Sequence, residues 1–159
     1  MKNNLQIVIS LLNSQSIYLD NQDAIDAIRN SQHRMHAMSL IHQKLYQTDN
    51  LATIDMSWYI KELVAYMRES FPTETSITFQ LQIAPLELDV AQAVPLGLIL
   101  NEAVSNAIKY AFKDRQQGII SITLVTRDDS HSELCIFDNG NGLPQQWNLE
   151  ETTTLGMSL

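Results

Sequence analysis

Leu98-Ile99-Leu100-Asn101-Glu102-Ala103-Val104-Ser105-Asn106-Ala107-Ile108-Lys109-Tyr110 decides how the rest of the chain is read. Its apolar residues predict a helix that opens at Pro95 and runs to about Phe112, because proline is tolerated in a first turn. Within it, Glu102, Asn106, Lys109 and Tyr110 are spaced by four, seven and eight, which puts them on one stripe. A carboxylate, a carboxamide oxygen, an ammonium and an aromatic ring on one stripe supply a proton acceptor, a hard oxygen ligand for a cation, a phosphate partner and a stacking surface. Asparagine is a poor helix former, so Asn106 weighs against an ordinary solvated face.

Downstream, Ile120, Ile122 and Leu124 alternate in one strand, and the Asp128-Asp129-Ser130 turn leads into Leu134 to Phe137. That second run is apolar on both faces, which predicts a central strand. It delivers Asp138 into Asn139-Gly140-Asn141-Gly142, a carboxylate able to accept a hydrogen bond from an exocyclic amine. Gly140 and Gly142 would let backbone approach a flat ligand.

Upstream, Ile77, Phe79, Leu81 and Ile83 alternate with polar residues in a half-buried strand, and Leu86, Leu88 and Val90 repeat the pattern in a shorter one. Trp58, Ile60, Leu63, Val64 and Met67 predict a helix ending near Phe71-Pro72. Residues 48–57 form a polar connector without helical period, and the domain boundary is placed there. Before it, Leu5, Val8, Ile9, Leu12 and Leu19 mark one helix. After Asp20-Asn21, Ala24, Ser31, Met38 and Leu45 with Ile28, Met35 and His42 form an a/d seam. Two such helices make an antiparallel hairpin whose apolar faces are buried best against a second hairpin, in a dimeric four-helix bundle.

The expected architecture is α+β: a helical hairpin over 1–47, a linker over 48–57, and over 58–159 a sandwich of hairpin-joined strands with helices on one side. The charge balance, 10 Lys plus Arg against 18 Asp plus Glu for a net −8, excludes a phosphate-backbone binder and so nucleic acid. No stretch approaches the ~20 apolar residues of a membrane span, and Met1-Lys2-Asn3-Asn4 is too polar for a secretory signal. A single cysteine, Cys135, suits a cytoplasmic setting and reads as a small buried hydrophobe.

Taken in this order and about 30 residues apart, the helix and the glycine loop resemble the N box and G1 box of the GHKL (Bergerat-type) ATP-binding fold of histidine kinases, gyrase-type topoisomerases and Hsp90-type chaperones. Leu155-Gly156-Met157 looks like the start of the G2 box. Lys2-Asn3-Asn4-Leu5-Gln6 is similar to the run after the acceptor histidine in HisKA_2-class sensor histidine kinases, where the pattern is His-Arg-x-Lys-Asn-Asn-Leu-Gln. Leu40-Ile41-His42-Gln43-Lys44-Leu45-Tyr46 is similar to the end of that class's second dimerisation helix, and Ala93 to Ile99 to its lead into the N box.

The resemblance implies ATP and Mg²⁺. Asn106 would hold the metal against the triphosphate, Glu102 would lie beside it in the catalytic machinery, Lys109 would meet phosphate and Tyr110 would pack near the nucleotide. Asp138 would read the adenine amino group, with Gly140, Gly142 and Gly156 shaping the loops. It implies a homodimer through the hairpin and a response-regulator receiver domain as partner, with no membrane contact in this segment. The acceptor histidine is expected just before Met1 and the G2 box to be cut after Leu159, so this chain should not phosphorylate itself. His33 and His36 have the wrong flanks for an acceptor, although His33 precedes an arginine; His42 falls on the seam and His131 in a turn. The alternatives are a dimerising scaffold or phosphotransfer adaptor with a vestigial site, and a chaperone- or topoisomerase-type ATPase, which residues 2–46 argue against.

Overall fold

The computed structural model describes residues 4–18, 20–47, 53–71, 73–128 and 130–142. Two helices, α1 (Asn4–Ser16) and α2 (Gln22–Gln47), form the expected hairpin. Asn21 caps α2, its carboxamide oxygen accepting from the amides of Asp23 (2.9 Å) and Ala24 (3.2 Å). An α/β unit follows: β1 (Thr53–Asp55), α3 (Met56–Ser70), β2 (Ser76–Ile83), β3 (Glu87–Asp89), α4 (Val90–Asn106) with a π-turn at Ala107–Ala111, β4 (Gln117–Thr126) and β5 (Ser132–Asp138).

The helical period of α3 buries Met56, Tyr59, Ile60, Leu63, Val64 and Met67, and the helix ends at Phe71 as expected. Its core face meets Ile120, Ile122 and Leu124 of β4, all essentially inaccessible. Alternation along β4 puts those three on the helix side of the sheet.

The pairing of strands differs from expectation. Among the described residues only β4 and β5 form a strand hairpin; β2 pairs parallel with β4, giving the order β2-β4-β5, and β3 pairs antiparallel with β1. A parallel pair needs a crossover, which α4 supplies, whereas the short gap between β2 and β3 looks locally like a hairpin. β1 lies in the stretch expected to be linker: with Ile54 as its one core residue, three residues are too few to show a period of two. Its last residue, Asp55, caps α3 by accepting from the amides of Ser57 and Trp58.

Three further expectations are corrected. The helix expected to open at Pro95 starts at Val90, capped by Asp89, and Pro95 lies inside it. Among the described residues β4 is central and β5 flanks it, leaving Phe137 59% exposed and Cys135 exposed rather than buried. The α2 seam is only partly exposed: Ser31, Met38 and His42 are exposed, Ala24, Ile28, Met35 and Leu45 are half-buried with Leu45 against the core, and His33, Ala37, Leu40 and Ile41 on another face are buried against the α/β unit. That buried face is taken by α3 and α4 of the same chain, while Ile7, Val8 and Leu11 of α1 remain exposed.

Gly97 of α4 lets the ring of Tyr59 lie across the helix, and the Tyr59 hydroxyl donates to the Ala37 carbonyl of α2 at 3.0 Å. A Cβ at position 97 would stand 2.1 Å from that hydroxyl and 2.6 Å from the ring. Because the ring is fully buried it has nowhere to rotate, so Gly97→Ala is expected to cost about 2 kcal/mol by overpacking. Urea unfolding checks this: an unchanged midpoint would mean the ring moves freely.

Candidate functional site

The π-turn at Ala107–Ala111 sits where the chemistry-bearing stripe was expected to continue, and it splits that stripe. Bonding i to i+5 advances the chain less per residue around the axis than an α-helix does, and such turns are frequent at functional sites. Glu102 and Lys109 face α2. Tyr110 projects outward, 71% exposed, and Asn106 sits half-buried at the junction without capping the turn.

Contacts from α2 meet this helix one after another. Arg34 Nη2 donates to Glu102 Oε2 at 2.9 Å, Lys109 Nζ donates to Asn30 Oδ1 at 2.6 Å, and buried Asn101 donates through Nδ2 to the His33 carbonyl at 3.2 Å. Burial, the largest influence, holds the Lys109 ammonium below the usual lysine range against the opposing pull of Asp26 and Glu102. Its Nζ lies 5.7 Å over the Phe71 ring, whose other neighbour is the imidazole of His33, stacked at 4.4 Å. His33 is 2% exposed, far from the accessible position that a following arginine suggested, and neither ring nitrogen has a hydrogen-bond partner. Lys109 and Tyr110 also line a cavity of about 480 Å³ with Arg29, Phe71, Phe112 and Lys113.

The second segment is placed by β5. Asp138 pairs with Ile120, which puts its half-buried side chain on the helix side of the sheet. Oδ1 of Asp138 accepts from the Gly140 amide at 2.9 Å, turning the chain. Asn139 extends the ladder, its carboxamide oxygen accepting from Ile119 N at 2.8 Å, and Arg115 donates to its carbonyl. Then the loop docks on the end of the π-turn: Asn141 N donates to the Ala111 carbonyl at 2.7 Å and Asn141 Nδ2 to the Lys113 carbonyl at 2.9 Å. Gly140 is obligatory there, since a Cβ would lie 2.3 Å from Ala111 O. Gly142, with φ of 72°, occupies the left-handed region that glycine adopts without strain.

The helix end and the glycine loop are thus joined through Ala111. Glu102, Asn106, Asp138, Gly140 and Gly142 do not line the 480 Å³ cavity, which holds Lys109 and Tyr110 alone of the expected set. Gly156, with Leu155 and Met157, lies outside the described residues. Asn30, Arg34 and Asn101 were not anticipated. Asn30 and Arg34 are one turn apart on α2, but nothing local says that this face meets a helix 68 residues away.

Comparison with known proteins agrees with the resemblance read from the sequence. Residues 1–71 match the HisKA_2 histidine kinase family. The chain is 28% identical over 160 residues to the sensor histidine kinase PdtaS of Mycolicibacterium smegmatis, covering all of this chain and 32% of that protein. It is 22% identical over 163 residues to blue-light-activated histidine kinase 2 of Erythrobacter litoralis, covering 98% and 45%. The chain thus spans about a third to under half the length of these curated relatives. In fold it is similar to the histidine kinase domain of the Erythrobacter litoralis EL346 blue-light activated histidine kinase, with a TM-score of 0.71 at 21% identity over 99% of this chain and 74% of that one.

Proposed function

We propose that this chain, whose residues 1–71 carry the histidine kinase family signature, is the core of a sensor histidine kinase that binds Mg-ATP and passes a phosphoryl group to a histidine and then to a response-regulator aspartate. One observation carries the reading. The Asp138 loop is clamped through its backbone to the end of the helix that bears Glu102, Asn106 and Lys109, so the two sequence-distant segments meet at Ala111.

The donor set suits such a ligand. Asp138 is half-buried, its Oδ1 takes the Gly140 amide, and its other carboxylate oxygen would accept from an adenine amino group. Asn106 would lend one hard oxygen to Mg²⁺, a metal that commonly keeps waters and substrate oxygens rather than a full protein cage. Bound magnesium would supply charge neutralisation on the phosphates. Lys109 would hold a phosphate oxygen, Glu102 would orient the groups around the metal, Tyr110 would cover the nucleotide, and Gly140, Gly142 and Gly156 would shape the enclosing loops. In phosphoryl transfer the protein chiefly positions groups and balances charge, which is what this set of side chains offers.

The exposed apolar side chains of Met38 on the α2 seam and of Ile7, Val8 and Leu11 on α1 support a homodimer through the hairpin. No described helix is long and apolar enough to cross a membrane. The chain divides into a hairpin over 1–47, a linker over 48–57 and an ATP-binding unit over 58–159, with β1 and the first two residues of α3, Met56 and Ser57, inside the linker stretch but packed as part of the ATP-binding unit.

Engagement of Glu102 and Lys109 by α2 lends something to the second reading, a dimerising scaffold or phosphotransfer adaptor with a vestigial site. Asp138→Asn separates the two. A carboxamide can present its donor end where the adenine amine needs an acceptor, so Mg-nucleotide binding is expected to weaken at least ~10-fold. Calorimetric titration reads it; parent binding with no response to the substitution removes Asp138 from the site, and no binding in the parent removes the ATP reading.

A further inference from the structure

Helix α2 presents Asn30, His33, Arg34 and Ala37 on one face, and each meets a partner in the α/β unit. Two of those contacts fall on side chains assigned above to the nucleotide. Arg34 holds the Glu102 carboxylate at 2.9 Å, in a pair whose side chains are only 33% and 20% exposed, and Asn30 holds the Lys109 ammonium at 2.6 Å. Asn30 and Arg34 lie one turn apart on α2, and Lys109 and Glu102, seven residues apart, share the helix side that meets them. The remaining contacts, Asn101 to the His33 carbonyl and Tyr59 to the Ala37 carbonyl, are buried and bind backbone, so they dock the helix without touching the candidate catalytic groups.

We infer that α2 competes with Mg-nucleotide for Glu102 and Lys109, and that Asn30 and Arg34 set the affinity of the site by the strength with which they hold those two side chains. The inference rests on the nucleotide reading and goes beyond it, naming two residues outside the ATP-binding unit as its tuning elements. A carboxylate committed to a guanidinium cannot turn fully to a metal-phosphate cluster, and an ammonium that spends one proton on Asn30 has fewer for phosphate. The site therefore exists in a helix-engaged state and a ligand-engaged state, and observed affinity is reduced by the fraction of molecules in the first. By linkage, ligand must loosen α2 as much as α2 weakens ligand.

The test titrates the full chain with Mg²⁺ and a non-hydrolysable adenine triphosphate analogue. Arg34→Ala and Asn30→Ala are each expected to tighten binding roughly fivefold, the effect of a partly exposed polar pair. Arg34→Lys, which keeps a cation against Glu102, should restore most of the parent affinity. Hydrogen exchange gives the reciprocal readout: ligand should speed exchange at the α2 amides from 29 to 37. A merely structural role predicts the reverse, weaker binding in step with a lower melting temperature. Binding unchanged or weakened in both alanine variants overturns the competition while leaving the nucleotide site intact. Binding absent from the parent and every variant overturns the nucleotide site and the competition together.

Discussion

Gly140→Ala is expected to weaken Mg-nucleotide binding about 100-fold. The reason is steric and local. The new Cβ would stand 2.3 Å from Ala111 O, 2.5 Å from Ala111 Cβ and 2.7 Å from Ala111 C. Two of those atoms are backbone at the end of the π-turn and cannot rotate aside, so the loop itself must lift. Lifting it breaks the Asn141 amide bond to Ala111 and the Gly140 amide bond to Asp138. Two hydrogen bonds, one of them to a carboxylate, amount together to about 3 kcal/mol. Gly142→Ala makes the contrast: a Cβ there meets nothing within 4 Å, leaving only the strain of a positive φ, about 1 kcal/mol. Calorimetry on both variants, with far-UV dichroism to show the helices unchanged, reads the difference. Parent affinity in Gly140→Ala would detach the loop from the binding site and take the ATP reading with it.

The ranking of those two glycines was not legible in the sequence, where both were expected to matter for the same reason. What was legible is what a local pattern encodes. The period of α3, the alternation in β2 and β4, the break at Asp20-Asn21 and the end at Phe71 are written within a few residues of where they act. Pairing is not: β2 finds its partner 41 residues away, and the brief β3 looks like the second arm of a hairpin until β1 takes it. Pro95 misled because its placement at a first turn is a preference, whereas Asp89, accepting from Gln92 N at 2.8 Å, was the actual cap. The seam on α2 is a periodic apolar pattern that the sequence displays, whereas the other face of the helix, with His33, Ala37 and Ile41, is covered by the α/β unit and carries no local signal of that packing. The stripe from Glu102 to Tyr110 is legible in part: Glu102 and Lys109 share the side that meets α2, whereas Tyr110, in the π-turn, lies at the surface.

Acid is expected to undo the α2 contact. His33 is enclosed by Phe71, stacked at 4.4 Å, and by Tyr66, edge-on at 5.4 Å. Burial pushes its imidazole down from 6.5 to about 4, helped by the charges of Lys109, Arg29 and His36 around it. His36, stacked on Tyr66 at 3.6 Å, is lowered in the same direction by burial. In the fold His33 thus stays neutral down to about pH 4, while the unfolded chain takes up a proton near 6.5. Over that window the unfolded state binds more protons, so stability rises with pH. The contribution is complete above about pH 6.5 and is lost as pH falls to about 4, a change of ~3 kcal/mol at 1.36 kcal/mol per pH unit. Urea midpoints at pH 7.5, 6, 5 and 4.5 measure the slope. His33→Phe keeps an aromatic ring against Phe71 and removes the proton, so most of that slope should vanish, leaving the smaller part due to His36. Whatever overpacking the larger ring introduces shifts every midpoint alike and leaves the slope as the diagnostic. An unaltered pH slope in His33→Phe would place the acid-sensitive group elsewhere and show that His33 opens to solvent in the native state.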